Sequence, residues 1–437
     1  MGDYIQTKLK NNIKVLLIPK KDIKIVHMSL MFRVGSDLET INPKNTLETS
    51  HFLEHMFGAF TSTKYPDSYN LLEKLVSLGI TSNASVDYNT TKYFLKGLHK
   101  HIEFIIDILY NAYFNFLIDE KYFEQERQAV IEELNNILND GWIKLTEDVN
   151  SKLYPHHIRS LSQTHNIKNV KKLKSKDLLS FFKKYYTKNN LLISVAGDFN
   201  VKKIMRLLNA TFGNIRHRST INKFNNILID RKYQLSYTKN SNTMSSNIYI
   251  IFPINYNMFN LNKYIIMTIS NLLTYGLDSR LYKKLRGKKG LVYGISSDIE
   301  LSATSKNLSY FSLNTQVADK NLVKVIHFII EELNMLQMNK IEESEIVKHM
   351  SDTKVTYISN NLDKDPSRIL NRYSRYILWG KEPITEKEEY DFLLDINQNN
   401  ILKMSREIFD FSKMMIIYSG KTNVNDKINK LLKQFKI

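Results

Sequence analysis

The residues best suited to chemistry are His51, Glu54 and His55, in the run His51-Phe52-Leu53-Glu54-His55. Successive helical residues turn by about 100°, so these three fall within roughly one 100° sector. Two imidazoles four residues apart can grip one metal ion, and the carboxylate between them can reach a water held by that ion. Zinc lowers the pKa of such a water toward about 7, and Glu54 is placed to take its proton as the water attacks a carbonyl. The bland alternative is a helix on which two histidines simply pair with Glu54. The chain has no cysteine, so any zinc must be held by histidines and carboxylates.

A third protein ligand is needed. Downstream lies Glu126-Arg-Gln-Ala-Val-Ile-Glu-Glu133, inside a helical pattern over 122–138. Glu126 and Glu133 are seven positions apart, two turns, and share a face, whereas Glu132 points elsewhere. Acidic residues on an exposed helix are ordinarily solvated surface. Beside the histidine pair they mark a candidate ligand helix.

The elements that must position these groups read as two versions of one plan. At 190–197 a buried strand ends in Gly197, and a helix follows with Val201, Ile204, Leu207 and Leu208 on its inner face. At 414–420 a strand again ends in glycine, Gly420, followed by Val424, Ile428, Leu431 and Leu432. The two glycines are 223 positions apart, and duplication is the simplest account. The first half has strand signals at 15–18 and 25–33, helices at 46–57 and 68–78, and extended chain at 84–95. The second has strands at 247–252, 292–302 and 310–316, with helices at 263–273 and 279–285. Strands followed by helical runs indicate an α+β protein of two homologous α/β domains, 1–215 and 233–437, joined by a polar linker at 216–232.

With 437 residues, 43% hydrophobic and 24% charged, the chain has the composition of a globular protein of about two domains rather than a disordered one. Its net charge of +18 favours acidic partners, but the lysines are scattered, and the richness in Lys, Asn and Ile matches an A+T coding bias. Nucleic acid is therefore a rival partner and not the leading one. The stretch 102–118 is interrupted by Glu103, Asp107, Asn111 and Asn115, and reads as a core helix rather than a membrane span. No secretory signal is visible, which places the expectation in the cytoplasm. The pair His156-His157, after Tyr154-Pro155, reads as a surface loop.

Taken together, His51-x-x-Glu54-His55 with Glu133, and Glu126 seven positions before it, resembles the insulinase/pitrilysin family of zinc metallopeptidases, the inverzincins. The short members of that family include the mitochondrial processing peptidase subunits. Glu48-Thr-Ser-His-Phe-Leu-Glu-His-Met56 is similar to the usual surroundings of the motif. Gly79-Ile-Thr-Ser-Asn-Ala-Ser85 resembles the strand that lines the substrate, which would make Asn83 and Ala84 substrate-binding. The segment 190–198 is similar to the strand near the end of the family's first domain. In the second half, 279–293 resembles the element whose Arg and Tyr, here Arg286 and Tyr293, hold the substrate carbonyl from the other domain. The resemblance implies His51, His55 and Glu133 as ligands of one Zn²⁺ per chain, Glu54 as general base, and Glu126 as a carboxylate behind a ligand. It also implies a clamshell of repeats, a homodimer enclosing a chamber, and unfolded peptides as substrates. Met56-Phe-Gly-Ala-Phe60 and Gly287-Lys-Lys-Gly290 depart from the usual pattern without touching a catalytic position. Two other classes stay open: a catalytically silent subunit that binds peptides or serves as structure, and a basic nucleic-acid-binding protein, which would bind DNA or RNA with steep salt dependence and hold no zinc.

Overall fold

The protein is described by a computed structural model covering residues 4–435 apart from 42–44, 141, 156, 217–219, 225–228, 230, 241–244 and 363–364. His156 and part of the 216–232 linker therefore lie outside the described residues. Two compact units are present: Met1–Asn139 with Ser162–Asn225 and Asp363–Thr385, and Asp140–Leu161 with Asn226–Leu362 and Glu386–Ile437.

The first unit holds a six-stranded sheet of β1 (Ile5–Lys8), β2 (Lys14–Pro19), β3 (Ile25–Phe32), β4 (Thr81–Val86), β5 (Thr91–Leu98) and β6 (Leu191–Gly197), in the order β1-β2-β6-β3-β5-β4. The second holds β7 (Gln234–Lys239), β8 (Ser245–Ile254), β9 (Val292–Glu300), β10 (Ser309–Ala318) and β11 (Met415–Gly420), in the order β7-β11-β8-β10-β9. Without β1 the two orders are one topology, and among the described residues the only parallel pair in each is the equivalent one, β2 with β6 and β7 with β11. The duplication read from the two strand–glycine–helix segments is thus a repeat of whole sheets. The glycines have matching jobs. A Cβ on Gly197 would lie 2.0 Å from the Ile25 carbonyl oxygen, and one on Gly420 would lie 2.4 Å from Ser246 Oγ, so both close their strand where a neighbour passes at contact. Strands β6 and β11 are buried along their whole length, as their continuous apolar sequences require when both faces of a sheet are covered.

The coverings are not those of the linear halves. The helix Ile143–Leu153 belongs to the second unit, where Leu145, Val149 and Leu153 pack with Ile251, Met415 and Ile417. The helix Pro366–Leu378 belongs to the first, where Leu370, Tyr373 and Ile377 pack on Leu16, Ile18, Met31 and Leu192. Both helices are amphipathic, and an apolar stripe says that a helix is buried without naming the sheet that buries it. In the first unit the docking is electrostatic as well. Asp365 caps the helix by accepting from the Ser367 N–H at 2.9 Å and pairs with Lys96 at 2.8 Å. At the other end Lys14 Nζ donates to the carbonyls of Ile377 and Leu378 at 3.1 and 3.3 Å, where a cation suits the helix dipole. Asp365→Ala is expected to cost about 1 kcal/mol, the usual loss for an N-cap, read as a lower urea midpoint at unchanged slope.

Two details differ from the sequence pattern. The extended run expected at 84–95 is a hairpin of β4 and β5, because Asp87 Oδ1 accepts from the N–H groups of Asn89 and Thr90, both at 2.9 Å, and turns the chain. The helix expected at 279–285 is a short turn, Arg280–Tyr282, running into a π-helical turn at Lys283–Gly287. Part of the linker is anchored: Asn222 donates through Nδ2 to the carbonyls of Arg33 and Tyr185, at 2.8 and 3.0 Å. Among the described residues no helix is long and apolar enough to cross a membrane.

Candidate metal centre

The helix Thr49–Gly58 buries Phe52, Leu53, Met56 and Phe57, which leaves His51, Glu54 and His55 on the opposite face. Phe52 stacks on Phe123 with ring centroids 4.7 Å apart, and this contact seats the histidine helix against the helix Glu120–Leu138. The second helix starts at Asp119, whose carboxylate accepts from the Tyr122 N–H at 2.7 Å. It buries Phe123, Val130, Ile131 and Leu134 and turns Glu126 and Glu133 toward the histidines.

Ligand atoms of His51, His55 and Glu133 all lie within 4.8 Å of one another. Glu133 Oε2 is 3.5 Å from Nε2 of each histidine. The other ring nitrogens are held from behind: His51 Nδ1 hydrogen-bonds Glu48 Oε2 at 2.9 Å, and His55 Nδ1 hydrogen-bonds Glu126 Oε2 at 2.9 Å. With each Nδ1 engaged by a carboxylate, Nε2 is the ring nitrogen that each histidine turns toward Glu133, the arrangement that metal-ligating histidines adopt. Two imidazoles and a carboxylate, with no thiol, are a donor set that suits zinc and leaves room for a fourth ligand.

Glu54 Oε2 lies 3.9 Å from His55 Nε2, and its carboxyl is raised by burial, against the pull of His55 and His51. That direction brings a carboxylate toward the range in which it can accept a proton near neutrality. Glu126 is held low, first by its hydrogen bond to His55 and also by one from Tyr122. His51 is lowered by burial, but the hydrogen bond and charge of Glu48, with the charges of Glu133 and Glu54, outweigh this and raise it to about 9.

A cavity of about 320 Å³ opens beside Glu54 and His55, lined by Phe60, Tyr69, Leu72, Leu75, Asn83, Ala84 and Tyr122 among others. Asn83 and Ala84 come from β4, the edge strand of its sheet, whose residues are alternately exposed. The structure therefore brings His51, Glu54, His55, Asn83, Ala84, Glu126 and Glu133 together in the first unit. Arg286 and Tyr293 belong to the second unit and meet each other there, the guanidinium 4.6 Å from the Tyr293 ring centroid. Tyr293 is 85% exposed. The turn that carries Arg286 is fastened from below: buried Glu332 accepts from Arg280 Nη1 and Lys284 Nζ, both at 3.0 Å. Glu48 and Tyr122 were not singled out by the sequence pattern, although the three-residue spacing of Glu48 and His51 is a helix-face spacing. His157 accepts at Nδ1 from the Arg159 N–H at 3.3 Å and caps a 3-10 turn.

Two family profiles match this chain: "Insulinase (Peptidase family M16)" over residues 14–162 and "Peptidase M16 inactive domain" over residues 172–351. Among curated proteins the chain is similar to an uncharacterized zinc protease of Rickettsia felis, 23% identical over 413 residues, covering 92% of this chain and 94% of that one. It is similar as well to the zinc protease PqqE of Helicobacter pylori, 21% identical and covering 94% and 91%. Among solved structures it resembles a protease from Helicobacter pylori, with a TM-score of 0.82 at 19% identity over 95% of this chain and 99% of that one. All four residues of the histidine and glutamate cluster, His51, Glu54, His55 and Glu133, fall within the first of the two profile matches. The chain belongs to the insulinase family of peptidases.

Proposed function

We propose that this chain is a zinc-dependent endopeptidase that hydrolyses unfolded peptides. The observation that carries the reading is the convergence of two histidine Nε2 atoms on Glu133 while a carboxylate holds each Nδ1. His51, His55 and Glu133 would hold the zinc. Once bound, zinc supplies Lewis-acid polarisation of a carbonyl and a lowered pKa for water. Glu54 takes the proton of the attacking water and returns it to the departing amine, a role its raised pKa suits. Arg286 and Tyr293 offer hydrogen-bond donors for an oxyanion. The open edge of β4 offers backbone groups to an extended peptide, and this supports a substrate bound as an added strand.

The cavity beside Glu54 has the size of one large side chain and walls that are mainly apolar. The residue seated there is an apolar or aromatic one of the substrate. Leu72→Asp is expected to lower cleavage of peptides with a large apolar residue next to the scissile bond by about tenfold or more. Peptides with a basic residue there lose less, and competition between two labelled peptides reads the ratio.

The decisive measurement is zinc per chain together with cleavage of a quenched-peptide library by the intact protein. One zinc per chain with cleavage supports the peptidase. Zinc with no cleavage by any member favours a silent peptide-binding subunit. No zinc, with salt-sensitive binding to DNA or RNA, favours the nucleic-acid reading. We further propose a homodimer, checked by light scattering at the protein concentration of the assay.

A further inference from the structure

Glu48 sits at the start of the histidine helix in the left-handed region, φ 63° and ψ 7°. Only Asn12 and Phe60 share a positive φ among the described non-glycine residues. A glutamate there is strained in a way that glycine would not be, and such strain persists only where the surroundings hold it. The surroundings are specific. Glu48 donates its backbone N–H to Glu39 Oε2 at 2.9 Å. Glu39 Oε1 accepts from the Ser50 N–H at 2.8 Å and also from the Ser50 hydroxyl. Glu39 is buried, and it satisfies the end of the helix in place of the residue that ordinarily does so.

That substitution of roles leaves the Glu48 carboxylate without a capping bond to make. It turns instead to His51 Nδ1, 2.9 Å away, with the two side chains 15% and 19% exposed. The contact repeats on His51 what Glu126 does on His55, from a different element and with the same distance.

We propose that Glu48 is a positioning residue for the metal centre, spending backbone strain to fix the Nδ1–H tautomer of His51 and aim its Nε2 at the point shared with His55 and Glu133. Glu39 is the anchor that makes the strained conformation hold. The inference rests on the zinc reading above and adds to it a residue that the motif does not contain.

The test uses the full chain and two readouts, zinc affinity by competition with a chromophoric chelator and thermal unfolding of the chelator-stripped protein. Glu48→Gly keeps the φ and removes the carboxylate. Measured at about pH 9.5, where His51 is mostly neutral, its zinc affinity is expected to fall by about 10- to 100-fold, the usual effect of losing a carboxylate behind a ligand, while the metal-free Tm stays level or rises. Glu48→Gln keeps an oxygen for the Nδ1 proton and is expected to fall between glycine and wild type in affinity. Wild-type affinity in Glu48→Gly overturns the proposal. So does a metal-free Tm that drops in both variants with equal loss of zinc, which would make Glu48 part of the scaffold only. Absence of zinc from the wild-type chain is a different failure, that of the metal reading itself.

Discussion

Glu54→Gln is expected to retain zinc and to lower peptide cleavage by about 10²- to 10⁴-fold, the span of a lost general base. Three features separate this variant from a general disruption. Glu54 is on the same face as the two histidines and not in the apolar seam formed by Phe52, Leu53, Met56 and Phe57. Its Oε2 lies 3.9 Å from His55 Nε2, beside the ligand atoms, while Glu48 and Glu126 are the carboxylates that support the histidines from behind. Glutamine has nearly the same volume and cannot accept a proton at neutral pH. An atom that only shaped the pocket would change KM more than kcat. A proton acceptor lowers kcat and kcat/KM together. The assay therefore reports zinc content, kcat and KM on one preparation. Cleavage within a factor of about three of wild type, with zinc bound, would sink the role assigned to Glu54.

The cluster of His51, Glu54, His55, Glu126 and Glu133 was legible in the sequence because helical periodicity converts spacing into geometry. His51, Glu54 and His55 share a face at any tertiary arrangement, as do Glu126 and Glu133, and packing between the two helices, Phe52 on Phe123 among its contacts, brings the two faces together. The sheets were legible for a related reason, since a strand buried on both sides leaves a continuous apolar run, as at β6 and β11. Glu48 was not, because its contact depends on a left-handed backbone that a glutamate does not advertise. The same holds for the two helices exchanged between the linear halves. Their stripes of Leu145, Val149 and Leu153, or of Leu370, Tyr373 and Ile377, specify burial, while the choice of sheet is settled by long-range partners such as Lys14 and Lys96. The π-helical turn under Arg286 is another case of tertiary override: Glu332 ties down Arg280 and Lys284, and an ordinary helical pattern is bent to suit.

Removing zinc is expected to leave a protein that loses stability as pH rises, the reverse of what its many carboxylates would suggest. In the metal-free chain His51 is raised from 6.5 to about 9, burial being outweighed by Glu48 and then by Glu133 and Glu54. A group with a folded pKa above its unfolded one contributes stability that is complete below the unfolded value and disappears as pH rises through the folded value. The contribution is thus full below about pH 6.5 and gone above about pH 9, on the order of 3 kcal/mol across that window. Glu39, raised to about 8 by burial and the nearby Glu48 charge, adds a change of the same sign. Zinc reverses the trend, because binding requires an unprotonated Nε2 on His51 and releases the proton held there. Zinc affinity therefore rises about tenfold per pH unit below 9, or about 100-fold between pH 7 and pH 9. Thermal unfolding with and without chelator, at a series of pH values, reads both slopes in one experiment. The Tm of the stripped protein falls from pH 6.5 to 9, and the gap between stripped and zinc-loaded protein widens. A gap that narrows with rising pH would mean that His51 carries no proton for zinc to displace, and the ligand set would have to be sought without it.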